Sequence, residues 1–168
     1  MEDYEIRDAL RRATTPDLVV TLALARASEI LIYERVNEVS KPVQLCVQVS
    51  NESNQPAFHV IVRVGLADGL ALRTPGQFRQ VGTRTDEQGL NFHWLERRIS
   101  SPPELPLFKE ADPWQEAFTF GVWSRDAASS EFYLITIVQT PGFEEKRVWA
   151  LKARGSRITL HGPFVPSS

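Results

Sequence analysis

Histidine, cysteine and paired carboxylates are the side chains that most often carry chemistry, and here they are spread thinly. His59, His93 and His161 are far apart in the sequence, all within expected strands, and no two stand at the spacing of a zinc-binding helix. With no cysteine or carboxylate at matching spacing, they read as exposed strand histidines, and no metal is expected. Cys46, the only cysteine, lies mid-strand between Leu45 and Val47. A thiol becomes a nucleophile only when a neighbouring base lowers its pKa, so this one reads as a half-buried structural residue. Ser28, Ser100, Ser129 and Ser130 fall outside any Gly-x-Ser-x-Gly elbow, and no glycine loop is built to cradle phosphate. Glu104, Glu110, Asp112 and Glu116 gather in one proline-rich stretch, where carboxylates could do acid–base work or hold calcium. Nothing in their spacing fixes a geometry, and a solvated loop is the expectation. The pattern is that of a chain that is not an enzyme and needs no cofactor.

Four tryptophans, Trp94, Trp114, Trp123 and Trp149, raise a different chemistry, because sugar faces stack on exposed aromatic rings. Three of them lie in strand-like runs, where large aromatics usually fill a core. Trp114, beside Pro113, is the exception.

The elements that must position these residues follow from length and patterning. A chain of 168 residues, 42% hydrophobic and 24% charged, suits one globular domain over 1–168. At this size a fold buries roughly 70% of its unfolded surface without disulfides. Nineteen basic and twenty-one acidic residues give a formal charge of -2, which disfavours direct nucleic-acid binding. No apolar run has the length of a membrane span, and the charged MEDYEIRDALRR is unlike a signal peptide. A lone cysteine agrees with a reducing compartment, so a cytoplasmic chain is expected.

Ile6, Ala9, Leu10 and Ala13 recur at helical spacing until Pro16, which predicts one short N-terminal helix as a lead-in over 1–15. Everything after it reads as strand. Runs at Leu18 to Leu24, Glu29 to Tyr33 and Val43 to Val49 are followed by Phe58 to Leu66, with Phe58, Val60, Val62, Val64 and Leu66 inward. Asp68-Gly69 is then expected to turn a tight hairpin. A weak strand at Phe78 to Arg84 leads through Asp86 to Gly89 into Leu90, Phe92 and Trp94. The periodicity vanishes over 100–116, where Pro102, Pro103, Pro106 and Pro113 predict a long loop. Runs at Ala117 to Trp123, Phe132 to Gln139, Lys146 to Lys152 and Arg157 to His161 complete the series. Many short strands with almost no helix predict an all-β, two-sheet antiparallel β-sandwich.

Between two of the clearest strands lies NESNQPA, whose Asn51, Ser53, Asn54 and Pro56 favour turns. A corner joining strands across the two sheets accounts for all of them. The wording of this corner resembles immunoglobulin-like modules, whose pattern is Asn-x-Gly followed by Pro-Ala. Within that group the chain is similar to the β-sandwich that follows a Schlafen-like, Alba-type domain assigned to DNA binding in some bacterial proteins. The resemblance rests on IRDALRRATTPDL (Ile6 to Leu18), on Asn51 with Pro56-Ala57, on Val62 to Leu70 and on PLFK (Pro106 to Lys109). Ser53 stands where the family pattern has glycine. The resemblance implies an Ig-like accessory domain of a nucleic-acid- or nucleotide-binding protein, whose own functional residues have no counterpart here.

The expected function is therefore an interaction module, acting by self-association or by docking a protein partner, with no membrane contact. Leu105, Leu107, Phe108 and Trp114 are its candidate partner surface, as apolar anchors on a loop. The alternative is a small-ligand or carbohydrate-binding β-sandwich, which would present at least two coplanar exposed rings.

Overall fold

Strict alternation of apolar and polar residues gives strands with one face to bury, and two such sheets bury each other. The computed structural model describes residues 15–26, 29–35, 38–109, 112–123 and 130–164. Among the described residues ten strands run in order: β1 (Leu18–Leu24), β2 (Val43–Asn51), β3 (Val60–Ala67), β4 (Leu70–Thr74), β5 (Arg79–Thr85), β6 (Asn91–Ile99), β7 (Trp114–Val122), β8 (Ser130–Thr140), β9 (Phe143–Arg154) and β10 (Arg157–Phe164). They form a four-stranded sheet, β1-β2-β7-β4, packed on a six-stranded one, β10-β9-β8-β3-β6-β5. All the pairings are antiparallel.

The core is the sum of the inward positions. Val43, Leu45, Val47 and Val49 of β2 meet Val60, Val62, Val64 and Leu66 of β3, with Phe118 and Phe120 from β7 and Leu134 and Val138 from β8. Trp149 is buried there too, its indole N–H donating to Thr136 Oγ1 at 3.0 Å. That bond satisfies the one polar atom of a large apolar side chain.

Several expectations need correction. The helix predicted over 1–15 lies, but for Thr15, outside the described residues, and no α-helix occurs among those described. The run from Glu29 to Tyr33 is not a strand of either sheet; only Ile30 makes an isolated bridge, to Arg157. Phe58 precedes β3 and is exposed rather than inward. Trp114 opens β7, so the proline loop ends before it.

Asp68-Gly69 does not close a hairpin, because β3 and β4 belong to different sheets. Gly69 has φ +98, and a Cβ there would lie 2.5 Å from Phe132 Cε1. The glycine is needed for a tight crossing between layers, not for the pairing of neighbours. The Asp86 to Gly89 turn, by contrast, is a true hairpin joining β5 to β6, with Asp86 Oδ1 accepting the amides of Gln88 and Leu90. β5 forms one edge of its sheet, and carries a bulge between Gln80 and Gly82 and two exposed arginines, Arg79 and Arg84.

Candidate functional site

The corner between β2 and β3 crosses from one sheet to the other, and one side chain organises it. Asn51 is buried at the end of β2; its Nδ2 donates to Gln55 O at 2.7 Å and to Leu107 O at 3.0 Å, while its Oδ1 accepts from the Ser53 amide and hydroxyl. Ser53 does not take a positive φ, so its hydroxyl here serves the corner as a ligand for Asn51. Asn51 thereby ties the corner to the proline loop, which Ala57 also reaches through a two-way backbone bridge with Leu107. At the foot of this junction sit His59 and Ser100, the two non-glycine residues with positive φ among those described, joined by a bond from His59 N to Ser100 O.

The junction sorts the four loop candidates into two pairs. Leu107 packs against the core from beside Ala57, and Trp114 packs edge-on to Phe78 with ring centroids 6.2 Å apart. Leu105 is 80% exposed and Phe108 47%, and Phe58, next to the bridging Ala57, is 40% exposed. Leu105, Phe108 and Phe58 thus form the exposed apolar patch at this corner, while Leu107 and Trp114 pack against the core.

The other sequence candidates are dispersed. His59 is exposed ahead of β3, His93 faces Gln80 Oε1 at 3.2 Å, and His161 lies beside Thr159 Oγ1 at 2.9 Å. Cys46 Sγ is 3.9 Å from Gln115 Oε1, half-buried on β2. Glu104 accepts from the Ser100 amide, Glu116 pairs with Arg97, Asp112 is exposed, and Glu110 lies outside the described residues. Among the described residues no three His, Cys, Asp or Glu side chains gather as a metal ion would need, and no helix is long and apolar enough to cross a membrane.

A second site emerges on the outer face of the six-stranded sheet. Register places Gly65 of β3 opposite Trp94 of β6 and Ile135 of β8. A Cβ on Gly65 would meet three atoms of the Trp94 benzo ring at 3.0 to 3.1 Å, so the indole lies flat on the glycine. Trp94 therefore faces away from the core, contrary to its strand-core expectation. Phe92, Ile135 and Ala150 are buried on this face yet stand apart from the central core cluster. The result is a hollow of about 250 Å³ whose floor is Val81, Phe92, Trp94, Ile135 and Ile137 and whose rim is Arg63, Arg84, Asp86, Glu96 and Lys146.

Glu96 anchors one end. Its side chain is only 8% exposed and is held by Arg98 Nε at 2.9 Å, Arg63 Nε at 3.2 Å and Arg79 Nη2 at 3.6 Å. The Arg98 hydrogen bond, with the bond and charge of Arg63, outweighs desolvation and holds the carboxyl below the usual glutamate range. Arg63 is further fixed by donating to Gln139 Oε1 at 3.0 Å. No protein-family model matches this sequence, and no curated protein is similar to it. Function must therefore be read from these two surfaces.

Sequence reasoning missed the hollow. Its residues alternate outward along β6 as Phe92, Trp94, Glu96 and Arg98, a face that an inward-looking search passes over. The available signal was a glycine in mid-strand, at Gly65, which marks a close approach from a neighbouring side chain.

Proposed function

We propose that this chain is a non-enzymatic, immunoglobulin-like interaction module of the cytoplasm that works by protein contact, through self-association or the docking of a partner. The Ig-like reading is supported by strand order. With β5, β6 and β10 set aside, β1-β2-β7-β4 and β9-β8-β3 correspond to the A-B-E-D and G-F-C sheets of a constant-type Ig domain. On this reading the β5–β6 hairpin is an insertion that extends the second sheet, and the resemblance casts the module as an accessory to a nucleic-acid- or nucleotide-binding protein.

One observation carries the docking role: Leu105, Phe108 and Phe58 expose apolar side chains on segments that Asn51 and the Ala57–Leu107 bridge hold in place. Fixed apolar anchors lose little conformational freedom on binding, which is what makes a small patch useful. A sugar-binding face is less well supported, because Phe92 and Trp94 are tilted by 43° and Phe92 is buried.

Light scattering across a concentration series tests the proposal, with the wild type set beside a Leu105→Asp/Phe108→Asp double variant. A dimer or larger species lost in the variant supports self-association through this corner. A monomer in both overturns self-association and leaves docking of a different protein as the form to be tested.

A further inference from the structure

We propose that the hollow over Trp94 binds a small planar monoanion, a flat unsaturated body of one or two rings carrying a single carboxylate or comparable group. This site is separate from the loop corner and does not depend on it. Gly65 occupies one face of the Trp94 indole, which leaves the opposite face turned toward the hollow as a stacking surface. Phe92, 6.3 Å away centroid to centroid and itself buried, completes the apolar floor beside it. Aromatic faces of this kind select flat, apolar bodies.

The rim supplies the charge preference. Three cations, Arg63, Arg84 and Lys146, oppose two carboxylates, Glu96 and Asp86. Arg63 is spent on Glu96 and Gln139, and Asp86 accepts the turn amides of Gln88 and Leu90. Arg84 and Lys146 make no ion pair among the described residues. One positive charge is left over, at the mouth of an apolar floor. A volume of about 250 Å³ is below the roughly 300–1,000 Å³ of drug-sized sites, which restricts the occupant to one or two rings.

The test follows the indole N–H resonance of Trp94 in the full chain during titration with 2-naphthoate. Two controls are 2-naphthalenemethanol, flat but neutral, and cyclohexanecarboxylate, anionic but not flat. The expected result is saturation by 2-naphthoate below millimolar concentration, with each control weaker by about ten-fold or more, equivalent to ~1.4 kcal/mol. An Arg84→Gln/Lys146→Gln variant, changed only at exposed side chains, should lose a similar factor toward 2-naphthoate and nothing toward the alcohol. The Leu105→Asp/Phe108→Asp variant should bind as wild type, which separates this site from the corner. Absence of saturation, equal affinity for all three probes, or unchanged binding by the Arg84/Lys146 variant would overturn the proposal.

Discussion

At the Asn51 corner, Leu105 and Phe108 project from a segment outside both sheets, whereas Trp94 lies on a strand with its ring pressed to Gly65. The corner owes its shape to hydrogen bonds from one buried amide side chain; the hollow owes its shape to sheet register, a missing side chain and a caged carboxylate. The difference teaches that exposure and organisation are separate properties. An exposed corner patch is suited to a large partner, while a rigid face with one half-buried ring, Trp94, beside a buried one, Phe92, is suited to a small one.

The strongest way to break this comparison is Asn51→Ala. It removes both donors that hold Gln55 O and Leu107 O and the acceptor for Ser53, so urea unfolding should report a loss of about 3 kcal/mol, the scale for leaving buried polar groups unpaired. A loss well under ~1 kcal/mol would mean that water replaces the side chain and that the corner is not organised by it.

Trp94→Ala should cost about 2 kcal/mol by uncovering Gly65 and the wall of Phe92, with the corner's behaviour in light scattering unchanged. If the loss also altered self-association, the two regions would not be independent.

Glu96→Gln should cost about 1 kcal/mol at neutral pH, a modest figure because Arg79 and Arg98 are largely exposed. The sign with pH follows from a folded carboxyl held below its unfolded value. Its contribution is fully present above the unfolded pKa of about 4.3 and is lost as the pH falls through the lower folded value. Wild type and variant should thus converge in acid and separate toward neutrality; parallel curves would show that the arginine cage does not stabilise the charged form.

The smallest effect belongs to Leu105→Ser/Phe108→Ser, where stability should change by no more than ~0.5 kcal/mol in urea unfolding. A larger loss would show that these side chains pack on the chain's own surface and would remove them as free anchors.

The sequence carried the strands more clearly than their partners. Val43, Leu45, Val47 and Val49 are all buried as alternation predicts, and NESNQPA is the inter-sheet corner its residues suggest. Alternation with period two says which residues share a face and nothing about which sheet a strand joins. Asp68-Gly69 and Asp86 to Gly89 look alike in sequence, yet only the second pairs its flanking strands. What separates them is Phe132, over sixty residues away, packed where a Cβ on Gly69 would stand.

The loop candidates were half legible for a similar reason. Leu107 and Trp114 are as apolar as Leu105 and Phe108, and only the bridge to Ala57 and the ring of Phe78 decide which pair turns inward. The hollow was not legible at all, since it is assembled from β3, β5, β6, β8 and β9. A whole-chain charge of -2 also hides a face on which cations outnumber carboxylates.

The bulged, arginine-bearing edge of β5 bears on how any assembly of this protein would grow. A flat, bare edge leaves a row of unpaired amides and carbonyls that a second molecule can use to extend the sheet. Here Gly82, at φ +104, kinks the strand, and Arg79 and Arg84 would bring like charges together in any edge-to-edge approach. Pairing of two copies through their β5 edges is therefore penalised twice, by the kink and by the repelling arginines.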